Sequence, residues 1–258
     1  MMRLLIAALL GLVMLTACQA PRPPAPEVQA NSQADLKRRA IIRLQLATNY
    51  MQAGQNAVAL EEAQQAIAID PELADAYHVR ALVYANMNEG ALAEQSFRSA
   101  LSLRGDDGDL LNNFGWFLCQ QARYQEALPM LERAVAAPSA SGPLKPQISL
   151  GVCRLRRGDL DGAEKSLQRA LGYDRSNAAA ITNLALVYYR RGEFPRAWQT
   201  VGRVNGGSAA SAQSLWLGAR IAHRQGDAAA QEAMIAQLRS RFPESPELAA
   251  YEQGAWDE

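Results

Sequence analysis

The sequence predicts an all-α fold, an α-solenoid of about six similar helix pairs wound into a right-handed superhelix. Three observations point there. Small residues recur with a period near 34, from about residue 36 to residue 254. Alanine dominates the 49% of the chain that is hydrophobic, while Phe and Trp number only 5 and 4, a composition suited to close helix–helix approach. No segment reads as a strand, a glycine-rich loop and a helix in succession.

Residues 1–17 read as a secretory signal. Arg3 gives the positive start, and Leu4 to Leu15 is an apolar run interrupted only by Gly11, too short to span a bilayer. The run ends in Leu15-Thr16-Ala17-Cys18, the pattern of a lipobox. Small residues at 16 and 17 suit a peptidase cleft, and the Cys18 thiol is the group that would take a diacylglyceryl chain. A plain signal peptide with an incidental cysteine is the simpler reading. The shared register of apolar run, small residues and cysteine favours lipidation, and several acyl chains give a stable anchor. Gln19, rather than Asp, resembles the sorting signal of lipoproteins sent to the inner leaflet of the Gram-negative outer membrane.

Residues 18–35 form the expected tether. Pro21, Pro23, Pro24 and Pro26 should exclude a helix, leaving a semi-extended spacer. Asn31 or Ser32 is the expected cap of the helix that follows, which opens the repeat domain at 36–254.

The repeats can be written out in turn. The first carries Leu46, Ala47, Tyr50, Gly54, Ala59, Ala63, Ala66 and a closing Pro71; the second carries Ala81, Tyr84, Ala93, Phe97 and Ala100. Phe114, Gly115, Leu118, Ala127, Leu131 and Ala134 make the third, and Leu150, Gly151, Gly158, Ala163, Leu167 and Ala170 the fourth. The fifth has Leu184, Ala185, Tyr188, Gly192, Ala197 and Val201, and the sixth Leu217, Gly218, Ile221, Gly226, Ala230 and Met234. The small residue at repeat position 8 falls at 47, 81, 115, 151, 185 and 218, steps of 34, 34, 36, 34 and 33. The two additional residues belong to the loop from Pro138 to Pro143. Small residues let neighbouring helices approach and large ones fill the holes between them. This register is that of tetratricopeptide repeats.

Composition and motifs exclude several functions. With 26 basic and 26 acidic residues, nothing calls for nucleic acid. No metal-ligand spacing, phosphate-binding loop or catalytic constellation is present, so neither an enzyme, a cofactor nor a small-molecule substrate is expected. The two histidines, His78 and His223, lie in different repeats and read as groove or surface residues. The acidic pairs Glu61-Glu62 and Asp106-Asp107 read as solvated faces or turns.

The inner wall of such a solenoid comes mainly from positions 2, 5, 9 and 12 of each first helix. Here these are Ile41, Leu44, Thr48 and Met51, then His78, Leu82 and Ala85, then Asn112 and Trp116, with Leu186 and Tyr189 in the fifth repeat. The N-terminal end is apolar and aromatic, as a protein-binding surface is; contact with a capping segment is the alternative. Leu44 and Thr48 stand where a clamp for a C-terminal carboxylate would need Lys or Asn. Later repeats turn Lys145, Arg156 and Arg190 toward this face. Two cysteines besides Cys18 remain, Cys119 and Cys153, either a disulfide or two reduced core thiols.

One string is more specific than the repeats. Leu111-Asn112-Asn113-Phe114-Gly115-Trp116-Phe117-Leu118-Cys119, with Gly151-Val152-Cys153 downstream, resembles the PilW/PilF type IV pilus biogenesis and stability lipoproteins. The resemblance extends to the lipobox, the Pro-rich tether and the six repeats; Gly105, where the second repeat would end in Pro, departs from the pattern. It implies a pilotin, a lipid-anchored protein on the periplasmic face of the outer membrane that binds the pilus secretin and assists its assembly, or that stabilises the fibre. It also implies that Cys119 and Cys153, on adjacent first helices, are paired. Alternatives are an adaptor for cell-wall enzymes or a component of β-barrel insertion.

Overall fold

The structure, a computed structural model, describes residues 25–256, with side chains from residue 32 onward. Cys18, the signal segment and most of the proline tether lie outside the described residues. Thirteen helices and no strand occur among the described residues. They pair as α1 (Ala25–Gln52) with α2 (Asn56–Ile69), α3 (Ala74–Asn86) with α4 (Gly90–Leu103), and α5 (Gly108–Gln120) with α6 (Tyr124–Ala136). Next come α7 (Leu144–Arg157) with α8 (Leu160–Tyr173), α9 (Ala178–Arg190) with α10 (Phe194–Asn205), and α11 (Ala212–Gln225) with α12 (Ala228–Arg241). A short α13 (Pro246–Glu252) closes the stack. Each helix packs on its partner and on the next pair, and successive first helices also touch, as α5 and α7 do. The chain is an all-α tetratricopeptide solenoid.

One boundary differs from the sequence reading. Helix α1 begins at Ala25, upstream of the expected caps Asn31 and Ser32. Pro26 does not break it, because a proline in the first turn has no intrahelical N–H bond to lose.

The turn inside each pair repeats in atomic detail. One or two residues past each first helix the backbone turns left-handed: Gly54 (φ 74°), Asn88 (61°), Ala122 (58°), Gly158 (91°), Gly192 (77°) and Gly226 (72°). The following N–H then bonds back to the carbonyl five residues earlier, as in Gln55 to Tyr50 and Glu193 to Tyr188, both at 2.9 Å. Side chains start several helices. Asp107 accepts from Leu110 N at 2.8 Å, Asp159 from Gly162 N at 2.9 Å and Asn177 from Ala180 N at 3.0 Å. Ser211 and Ser214 form a reciprocal capping box on α11.

The predicted small residues are the core. Ala47, Ala63, Ala81, Ala93, Ala127, Ala163, Ala185 and Ala197 are fully buried. Between the second and third repeats Phe97 stacks on Phe114 with ring centres 5.1 Å apart and tilts against Phe117 at 5.4 Å. A β-carbon on Gly115 would fall 2.7 Å from Cγ of Leu131, and one on Gly151 the same distance from Cγ of Leu167, so these glycines set the closest helix approaches. The two-residue insertion before α7 is tied down by Asp109, which accepts from Ser139 Oγ and Ala140 N, each at 2.8 Å.

Ion pairs clamp neighbouring repeats at corresponding places. Glu94 and Glu164 each directly follow a buried small residue, Ala93 and Ala163. Arg123 of the third repeat binds Glu94, and Arg191 of the fifth binds Glu164. Hydrogen bonds from Arg123 hold the Glu94 carboxyl at about 2. Burial pushes Glu164 upward, but bonds from Arg191 and Tyr188 outweigh it and keep that carboxyl below its ordinary value.

Candidate functional site

The face formed by the first helices carries the residues expected of a binding wall, and they fall into three stretches. At the N-terminal end Ile41 is 46% exposed, with Ile42 and Leu36 also exposed. Leu44 and Met51 are half-buried and lean on the core formed by Ala47, Ala59, Ala63, Val79 and Val83. The Thr48 hydroxyl donates to the Leu44 carbonyl at 3.0 Å, which leaves its methyl group as the apolar part of the wall. Leu82, one pair further on, is half-buried against the Phe97 cluster. This stretch is greasy, partly exposed and free of fixed charge on the residues named.

The middle stretch is polar. Lys145 Nζ donates to Asn113 Oδ1 at 3.1 Å, and a lysine can only donate. The Asn113 amide is therefore oriented with Nδ2 toward His78, whose Nε2 accepts at 2.9 Å. The His78 ring then carries its proton on Nδ1. Burial lowers its pKa, against the opposing pull of Asp75 and Asp107. His78, Asn113 and Lys145 thus link α3, α5 and α7 along one line. Trp116 lies beside them, half-buried, with the Arg156 guanidinium over its ring at 5.0 Å.

Asn112 is the residue whose placement differs from expectation. It was expected on the open wall, yet it is only 1% exposed. Its Nδ2 reaches Asn113 Oδ1 at 3.3 Å, and its own Oδ1 has no partner. Helix α7 packs against α5 beside this position. Asn113, the next residue, reaches the surface in its place. Sequence reasoning missed Asn113 because it lies one place off the wall positions, although Asn112-Asn113 was already singled out as part of the family string.

Cys119 and Cys153 are joined by a disulfide with Cα atoms 5.8 Å apart. The bridge ties α5 to α7 immediately behind the polar stretch. Both cysteines are buried, so the bond lies in the core and leaves the groove surface unchanged.

The third stretch, at the fifth and sixth repeats, is aromatic and basic. Tyr189 and Phe194 tilt together at 5.7 Å, Arg220 lies over Tyr189 at 4.9 Å and Arg224 over Phe194 at 5.6 Å. The sequence placed Leu186, Tyr189 and Arg190 here, but not Arg220 and Arg224, which occupy positions off the expected wall.

No group of acidic, histidine or cysteine side chains among the described residues is arranged to hold a metal. No described helix is long and apolar enough to cross a membrane.

Family models described as tetratricopeptide repeat match residues 44–110, 109–137 and 154–213. The chain is 30% identical over 214 residues to the type IV pilus assembly protein PilF of Pseudomonas aeruginosa, covering 81% of this chain and 83% of that protein. The chain belongs to the PilF/PilW family. The crystal structure of PilW, a widely conserved type IV pilus biogenesis factor, superposes with a TM-score of 0.76 at 31% identity, covering 83% of this chain and 98% of PilW. The structure of Pseudomonas aeruginosa PilF superposes at 0.71 with 26% identity, over 86% of this chain and 99% of that one. Proteins of the PilF/PilW family are non-enzymatic scaffolds, and this chain is one.

Proposed function

We propose that this protein is a lipid-anchored pilotin of type IV pilus biogenesis, held on the periplasmic face of the outer membrane, whose N-terminal groove binds the pilus secretin. The observation that carries the reading is the pairing of likeness to PilF and PilW over most of the chain with an apolar wall left open at the first two repeats. Ile41, Leu44, Thr48, Met51 and Leu82 offer a secretin segment aliphatic contact along one continuous line. The residues further along this face bring polar and basic groups among their aromatics, so an apolar segment is selected for the N-terminal end. Cys18 supplies the anchor through its lipobox, and Gln19 supports delivery to the outer membrane. The role is mechanical: the tether limits the scaffold to the membrane where the secretin must assemble, and the groove holds the subunit there.

The test is a double substitution, Leu44→Asp with Met51→Asp. Each buried apolar anchor contributes about 1.5–3 kcal/mol to association, so secretin binding should fall by more than about tenfold. Heat-stable secretin multimers in cells should fall with it. Circular dichroism and melting must stay near wild type. A folded double variant that binds and supports multimers normally would rule out this groove.

A further inference from the structure

The basic end of the inner face has the geometry of a second binding site. A concavity of about 690 Å³ opens between α9 and α11. Its walls include Leu186, Tyr189, Phe194, Arg190, Arg220 and Arg224. Arg191 also borders it, but that guanidinium is neutralised by Glu164 and Asp161. Arg190 and Arg220 differ. Arg190 Nη1 donates to the Leu155 carbonyl at 2.9 Å and Arg220 Nε to the Trp256 carbonyl at 3.1 Å. A neutral carbonyl fixes a guanidinium in place without cancelling its charge. Among the described residues neither arginine meets a carboxylate and no acidic residue lines the concavity.

The arginines are also held in orientation. The Arg220 guanidinium lies over the Tyr189 ring, and the N–H groups not bonded to the Trp256 carbonyl are the ones left to reach a ligand. Planar guanidinium groups bind carboxylates with two parallel hydrogen bonds.

We propose that this concavity binds an extended acidic segment of a protein partner, with two of its carboxylates paired to Arg190 and Arg220. The aromatic pair Tyr189 and Phe194 packs against the backbone and stems between them. The site is separate from the apolar groove of the first two repeats and takes ligand of different chemistry. It would let one scaffold hold an apolar and an acidic segment at once.

The experiment uses the full-length protein in detergent and a short fluorescent peptide of alternating glutamate and serine. The matched glutamine–serine peptide is the control. Anisotropy should report binding of the glutamate peptide only, weakening steeply with added salt. Arg190→Gln with Arg220→Gln should reduce affinity by at least about tenfold. Arg190→Lys with Arg220→Lys should keep part of the binding, which separates lost charge from lost fold. Equal binding of the glutamine peptide, or unchanged affinity in the folded glutamine variant, would overturn the proposal. So would capture by phosphatidylglycerol-doped micelles without any peptide binding, which would reassign the site to a lipid headgroup. Peptide binding that appears only after Asp257→Asn with Glu258→Gln would overturn it in favour of an occupant within the chain. The apolar-groove variant Leu44→Asp with Met51→Asp should bind the glutamate peptide normally, so the two sites fail independently.

Discussion

Ala122 occupies the place in the third repeat that Gly192 occupies in the fifth. Both lie two residues past the end of a first helix, both have positive φ, 58° and 77°, and both precede an N–H that bonds back across the turn. Glycine adopts this conformation freely, whereas an alanine β-carbon meets the backbone there at a cost of about 1–2 kcal/mol.

The pair therefore responds in opposite directions. Ala122→Gly should stabilise the domain by up to about 1 kcal/mol, the relief of strain being partly offset by greater freedom in the unfolded chain. Gly192→Ala should destabilise it by about 1 kcal/mol. Neither residue is buried, so packing does not confuse the comparison. Thermal or urea unfolding of the two variants beside wild type checks the sign of each.

The close helix approaches give a second contrast. Gly115→Val should cost about 1–3 kcal/mol, because the added carbons meet Cγ of Leu131 at 2.7 Å and the Ala127 carbonyl at 3.2 Å. Gly202→Ala, in the interior of α10 with open space around it, should gain about 0.5–1 kcal/mol from helix propensity alone. Equal melting shifts in the two variants would contradict the idea that the small positions exist for helix contact.

Much of this was legible in the sequence, and the exceptions have physical causes. Ala47 to Gly218 gave the period, since only small residues permit helix contact at those places. Ala122 was not readable as a turn residue, because alanine has no preference of its own for the left-handed conformation, and Asn88, whose residue type does favour it, was passed over. Pro26 was read as a breaker when its place in the first turn of α1 makes it harmless. Asn112 was misplaced because the wall positions are those of an average repeat, while α5 and α7 are closely packed and cross-linked. Arg220 and Arg224 escaped notice for a related reason: long side chains reach the inner face from positions that short ones cannot.

The disulfide predicts a thiol count. Denatured, unreduced protein should show no titratable thiol from Cys119 or Cys153. The bridge spans a sequence separation of 34, and Cys119→Ser with Cys153→Ser should cost about 3–4 kcal/mol on the chain-entropy account. Two reactive thiols in the oxidised protein would contradict the pairing.

The clamp between Arg123 and Glu94 predicts a pH dependence. The Glu94 carboxyl titrates at about 2 in the folded protein against an ordinary value of 4.5. A depressed folded pKa means that the contribution is full above 4.5 and is lost as the pH falls through that value toward 2. Glu94→Gln should therefore lower stability by about 1 kcal/mol at neutral pH, the range for partly exposed pairs. The difference from wild type should shrink below pH 4.5 and vanish near pH 2. A difference that persisted through the acid range would assign the effect to packing instead of charge.

The claim that the open apolar wall of the first two repeats receives the secretin is tested most directly by crosslinking in cells. A photoreactive side chain placed at Met51 should trap the pilus secretin, identified by mass spectrometry of the adduct. The same group at Tyr173, an exposed residue at the end of α8, should not trap it. Secretin captured from Tyr173 but not from Met51, or a different protein captured from Met51, would contradict the account.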